Sequence, residues 1–80
     1  MTPATHADMI VDARGQMRPM PVLTLTRIAR DAQPGTVIAI IVTDKGARAD
    51  IPAWCARTGN EFLGLEEQGA ELTCYVRKSA

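Results

Sequence analysis

The hydrophobic positions of this chain change between the strand period of two and the helical period of 3.6, and these changes divide it into predicted elements. Residues 36–43 contain six consecutive apolar positions rich in valine and isoleucine, which predict a central strand. Residues 9–13 predict a shorter strand that ends at a turn containing Gly15. Residues 61–67 and 71–77 predict two more strands, joined as a hairpin by a connection that contains Gly69.

Two segments between these strands have helical spacing. Residues 21–31 start with Pro21, which suits a first helical turn, and their apolar positions form one stripe of Val22, Leu25, Ile28, Ala29 and Ala32. A second helix is predicted after the turn at residues 44–46, with Asp50 as its N-cap, Pro52 in its first turn and Gly59 at its end. Its buried face is predicted to be Ile51, Trp54 and Cys55.

The resulting order, βαβαββ, predicts an α/β fold. We expect a two-layer sandwich in which both helices cover one face of a four-stranded mixed sheet. Eighty residues with 46% hydrophobic content are close to the smallest size at which one core suffices. We therefore predict a single domain over residues 9–80, preceded by a flexible N-terminal tail at residues 1–8.

Composition and charge argue against several functional classes, although a local charged patch stays open. Nine acidic residues balance nine basic ones, which argues against a general electrostatic hold on nucleic acid or on an anionic membrane. No apolar run approaches the roughly 20 residues needed to span a bilayer, and the first eight residues lack the apolar core of a signal peptide. Cys55, Cys74 and His6 do not make a zinc-ligand set, so we expect reduced thiols, no metal, no cofactor and a cytoplasmic location.

The loop before the first helix concentrates the candidate chemistry. Pro19 and Pro21 favour extended backbone at the residue before each of them, so Arg18 is predicted to stand on a stiff ledge next to the helix N-terminus. Together with Arg14 and the N–H groups of Val22 and Leu23, it would form a site for a small anion. The alternative is that both arginines are solvated surface charges and that the prolines only shape the loop.

The residues of this loop also resemble a known family. The order and spacing of Asp12-Ala13-Arg14-Gly15, Pro19-x-Pro21-Val22-Leu23, Asp50-Ile51-Pro52-Ala53-Trp54-Cys55 and Tyr75-Val76-Arg77-Lys78 resemble the TusA/SirA-like sulfur carriers, over residues 9–78. The resemblance implies a cysteine directly before the first proline, where this chain has Arg18, and an aliphatic residue where it has Gln16. It also implies persulfide transfer towards tRNA thiolation or sulfur oxidation.

Two functional hypotheses follow from the resemblance. In the first, the chain binds a sulfur-relay protein or another partner, or an anion, through the loop residues Arg14, Gly15, Arg18, Pro19 and Pro21. In the second, it is a working sulfurtransferase that uses another thiol, or a variant of an ordinary carrier. Cys55 and Cys74 are predicted to be buried and poorly ionised, so Cys55 is only a fallback. A nucleic-acid binder is a third hypothesis, which the charge balance opposes.

Overall fold

Four strands and two helices follow one another in the predicted order, in a computed structural model that describes residues 6–79. The strands are β1 (Met9–Ala13), β2 (Val37–Val42), β3 (Glu61–Gln68) and β4 (Glu71–Arg77), and the helices are α1 (Met20–Asp31) and α2 (Ala47–Thr58). The sheet order is β1-β2-β4-β3, with β1 parallel to β2 and β4 antiparallel to both of its neighbours. The predicted α/β sandwich with a mixed four-stranded sheet is therefore confirmed.

The core lies between one face of this sheet and the two helices. On β2 the alternate residues Ile38, Ile40 and Val42 are completely buried. They pack with Leu25 of α1, Ile51 of α2 and a set of residues that includes Val11, Ala13, Trp54, Leu72, Cys74 and Val76. On the other face of β2, Val37 and Ala39 are also buried, and a strand that is buried on both faces has an uninterrupted apolar run.

The start of α2 differs from the prediction. Asp50 is in the first turn of the helix and does not cap it, because α2 begins three residues earlier and Gly46 occupies the N-cap position. The turn at residues 44–46 continues directly into the helix, since the carbonyl oxygens of Asp44 and Gly46 already accept hydrogen bonds from the N–H groups of Ala47 and Asp50. Pro52 consequently lies inside the helix. The predicted end at Gly59 is confirmed, with the positive φ of 79° that favours glycine.

The start of α1 and the N-terminal segment differ slightly from prediction. Helix α1 starts at Met20, one residue before Pro21. Asp8, which was predicted to lie in the tail, donates its N–H to the Val37 carbonyl oxygen at 2.8 Å and accepts the Val37 N–H at 2.9 Å. Residues 1–5 of the predicted tail lie outside the described residues.

The topology brings both helix N-termini to one edge of the sheet. Strands β1, β2 and β3 all run in the same direction, because β2 and β3 are both antiparallel to β4. Each helix follows one of these strands and runs back towards the start of the next. The β1–α1 and β2–α2 connections therefore lie side by side, and this position accounts for the contacts of the candidate site.

Candidate functional site

The loop between β1 and α1 is fixed by hydrogen bonds at several points. Gly15 has a φ of 84°, a conformation that glycine adopts without strain, and its N–H donates to the Thr43 hydroxyl at 2.9 Å. Gln16 anchors the loop to α1, because its side-chain oxygen accepts the hydroxyl of the buried Thr24 at 3.0 Å. Sequence reasoning noted Gln16 only as a departure from the family pattern and missed this contact.

Arg18 is bonded to the neighbouring β2–α2 connection through its backbone and its side chain. Its N–H donates to Asp44 Oδ2 at 2.5 Å, and Asp44 Oδ1 accepts the Gly46 N–H at 3.0 Å. One carboxylate thus joins two loops, and these backbone hydrogen bonds lower the pKa of Asp44. The Arg18 guanidinium donates to Asp50 Oδ1 at 3.0 Å, although 68% of the Arg18 side chain remains exposed.

The absence of a side chain at Gly46 leaves room for this arrangement. A Cβ atom at Gly46 would lie 3.4 Å from Arg18 Cδ and 3.4 Å from Asp44 Oδ1, which is the limit of ordinary contact. The aliphatic part of Arg18 therefore lies against the N-terminus of α2. The Arg18 side chain is exposed, as the sequence predicts, but it is also held by the ion pair with Asp50.

Arg14 is engaged in a separate ion pair. Its Nε and one terminal nitrogen donate to the two carboxylate oxygens of Asp12 at 2.9 and 3.0 Å, and its other terminal nitrogen donates to Glu71 Oε2 at 3.2 Å. These hydrogen bonds lower the pKa of Asp12 to about 2 and raise the pKa of Arg14. The two arginines of the predicted anion site therefore pair with different carboxylates.

The first turn of α1 offers few free N–H groups. Pro19 occupies the N-cap position, and its carbonyl oxygen accepts the Leu23 N–H at 3.2 Å. Met20 donates its N–H to the Met17 carbonyl oxygen at 2.8 Å, and the buried Pro21 has no N–H to donate. An anion in this loop would have to compete with carboxylates for both guanidinium groups and would find the Leu23 donor already used.

An exposed apolar patch next to the loop was missed by sequence reasoning. Met17, Met20 and Leu23 are 76%, 44% and 51% exposed, and we call these three residues the Met–Leu patch. The spacing of Met20 and Leu23 was a usable signal, because residues three apart in a helix lie on the same face, and Met17 lies just before the helix. Exposed apolar side chains that lie together are typical of protein interaction surfaces.

Both thiols lie in the core, as predicted. Cys55 is 2% exposed and Cys74 is fully buried, and burial raises the pKa of each to about 11. Trp54, 2% exposed, donates its indole N–H to the Thr26 hydroxyl at 2.9 Å. Across residues 6–79, His, Cys, Asp and Glu side chains form no group of three or more suited to a metal ion. The described helices include none that is long and apolar enough to cross a membrane.

Comparison with known proteins gives consistent similarities. The family model described as Sulfurtransferase TusA matches residues 9–78. The sulfur carrier protein TusA of Pseudomonas aeruginosa is 38% identical over 77 residues, which are 95% of this chain and 98% of that protein. YrkF of Bacillus subtilis, named as a candidate sulfur carrier, is 40% identical over 72 residues; these are 90% of this chain and 39% of YrkF, so the chain spans less than half of that relative.

One solved structure supports the fold. The crystal structure of a SirA-like protein from Desulfitobacterium hafniense matches with a TM-score of 0.71 and covers 90% of this chain and 99% of that one. The two sequences are 21% identical, so the similarity concerns the fold alone.

Proposed function

This chain belongs to the sulfurtransferase TusA family, and from that premise we propose that it acts in sulfur trafficking by docking to a partner protein, without carrying persulfide at position 18. The observation that supports this proposal is the environment of Arg18. It stands directly before Pro19, where the family resemblance implies the carrier cysteine, and its guanidinium is paired with Asp50. We further propose that the protein works in the cytoplasm.

Arginine does not support the chemistry of a sulfur relay. A persulfide forms when a thiolate takes up sulfane sulfur, whereas the guanidinium of Arg18 is permanently protonated and is not a nucleophile. It donates hydrogen bonds to carboxylates and other oxyanions. Position 18 therefore carries a hydrogen-bond donor for oxyanions and lacks a thiolate that could accept sulfur.

The two native thiols are poor substitutes for a carrier cysteine. With a pKa of about 11, roughly one Cys55 or Cys74 side chain in ten thousand is ionised at pH 7. Both are also out of reach of a partner's sulfur donor, because each is at most 2% exposed. Burial thus opposes the alternative of a working sulfurtransferase that uses Cys55.

The surface around Arg18 is suited to protein docking. The loop formed by residues 14–21 is held in one conformation by Thr43, Thr24 and Asp44, so little order has to be gained on binding. The adjacent Met–Leu patch supplies apolar area, and methionine side chains adapt readily to an irregular partner surface. A sulfur-relay protein is the partner class that family membership favours, and a small anion in the loop is the weaker proposal because both arginines are paired.

A competition experiment tests docking. A cysteine desulfurase with cysteine loads sulfur onto the Arg18→Cys protein, and intact mass follows the reaction. At concentrations that saturate the donor, native protein in about tenfold excess is expected to slow loading at least about fivefold, because both proteins present the same surface to the donor. The Leu23→Asp form of the native protein, changed at a half-exposed position of the Met–Leu patch, is the matched control and should slow it far less. Equal rates with and without native protein would contradict docking to this donor.

A further inference from the structure

A groove lies between the C-terminal halves of α1 and α2, at the opposite end of the helix layer from the 14–21 loop. Its volume is about 220 Å³. Its lining includes Thr26 and Arg30 from α1, Trp54 and Thr58 from α2, and Asn60 and Lys78 from the ends of β3 and β4. Neither the proposed docking surface nor the sulfur chemistry involves these residues.

The charge of this groove is positive. Arg30 and Lys78 line it and no carboxylate does. By comparison, the groove beside the β3–β4 hairpin is lined by two cations and two carboxylates, Lys45 and Arg48 with Glu67 and Glu71. Charge is also unevenly divided between the two layers: the helices carry four arginines and two aspartates, whereas the strands carry five carboxylates and one arginine.

Arg30 is not neutralised by a neighbour within the described part of the chain. The ion pairs found among residues 6–79 involve Arg14, Arg18, Arg48 and Arg77, and none of them includes Arg30. The exposed guanidinium keeps its full set of donors and is free to turn towards the groove.

The remaining free polar groups of the groove are also donors. The Lys78 ammonium donates to the carbonyl oxygens of Ala29 and Ala32 at the end of α1, which leaves one of its three N–H bonds. The Asn60 amide donates one N–H to the Thr58 hydroxyl at 3.0 Å and retains the other.

The hydroxyl groups of the groove donate their hydrogen bonds within the protein. Thr26 donates to the Val22 carbonyl oxygen and Thr58 donates to the Trp54 carbonyl oxygen. Lys78 also compensates the partial negative charge of the α1 C-terminus, which would otherwise repel an anion. The ligand chemistry that fits is therefore an acceptor with negative charge.

We propose that this groove binds a small tetrahedral oxyanion of the sulfate or phosphate type, held by Arg30, Lys78 and Asn60. The site is independent of the docking loop. The same phosphate chemistry occurs in a free ion and in an RNA backbone, and the balance of nine acidic and nine basic residues favours the free ion.

The only tryptophan of the chain, Trp54, reports on this groove directly. Sodium sulfate and sodium phosphate are titrated against the native protein at constant ionic strength, with Trp54 emission and the amide NMR signals of Asn60 and Lys78 as readouts. Saturable changes are expected with either ion. Arg30→Gln should weaken binding about tenfold, because it removes a charge-assisted hydrogen bond. Arg57→Gln, at an exposed arginine of α2 outside the groove lining, should change the affinity less than about twofold.

Several outcomes would overturn the proposal. Equal weakening by Arg30→Gln and Arg57→Gln, or an equal response to sodium chloride, would show that the spectral changes come from general charge screening and not from a bound anion. Amide shifts confined to residues 14–21 would show that the anion binds in that loop and not in the groove. Binding of a short RNA duplex with a steep salt dependence, and no saturable response to inorganic phosphate, would assign the basic surface to nucleic acid.

Discussion

The Arg18→Cys protein is expected to react with iodoacetamide at neutral pH at least about a hundredfold faster than the native protein. An exposed thiol with an ordinary pKa near 8.5 is a few per cent ionised at pH 7, whereas the native thiols, at about 11, are ionised to roughly one part in ten thousand. Accessibility acts in the same direction, because the Arg18 side chain is 68% exposed and both cysteines are buried. Mass spectrometry of the alkylated protein measures the difference.

The rate of this alkylation at pH 7 also tests the electrostatic environment of position 18. Removing the guanidinium leaves the Asp50 carboxylate without its partner, and negative charge in the neighbourhood of a thiol raises its pKa. The double variant Arg18→Cys/Asp50→Asn should therefore react faster at pH 7 than Arg18→Cys alone. Arg18→Ser is the control and should remain as unreactive as the native protein. Rapid alkylation of the native chain would contradict the burial of Cys55 and Cys74.

Ile40→Ala is expected to lower the free energy of unfolding by about 3 kcal/mol, within the 2–5 kcal/mol typical of such a truncation in a core. Ile40 is fully buried at the centre of β2, where it is in register with Val11 of β1 and Cys74 of β4. Neighbours on both sides restrict the collapse of the resulting cavity. Urea unfolding followed by circular dichroism measures the change.

The smaller substitution Ile40→Val is the matched control. It should cost about 1 kcal/mol, because it removes one methylene and keeps the branched shape suited to a strand. A loss below about 1 kcal/mol for Ile40→Ala would mean that the face of β2 described as the core is not tightly packed.

The fold was predictable because its signals are local. The apolar run of β2, the stripe of α1 and the glycine that ends α2 each depend on residues close in sequence. The run and the glycine were confirmed, and the stripe was confirmed from Val22 to Ala29, whereas Ala32 lies beyond the last residue of the helix. The start of α2 was predicted wrongly. Asp50 has the chemistry of an N-cap, and only the hydrogen bonds of Asp44 and Gly46 show that the helix has already begun. Local propensity is a weak guide where a turn continues directly into a helix.

The candidate site depends on contacts that sequence spacing does not reveal. Arg18 and Arg14 were identified as candidate binding residues, but Asp50, the partner of Arg18, and Glu71, the second partner of Arg14, lie 32 and 57 residues away in the chain. Only Asp12, the other partner of Arg14, is a sequence neighbour. Those partners change the interpretation, because paired guanidinium groups are less available to an anion than solvated ones. The geometry thus favours protein docking over anion binding in this loop. The cations without carboxylate partners within the described residues include Arg30, which lies at the other end of α1.

Intact-mass spectrometry after incubation with a cysteine desulfurase and cysteine, run side by side on the native protein and Arg18→Cys, tests the central claim most directly. We predict that Arg18→Cys gains about 32 Da for each sulfur, as expected for a persulfide on a reactive thiolate, and that the native protein gains none. Sulfur on the native protein would show that Cys55 or Cys74 is reactive and would contradict the account.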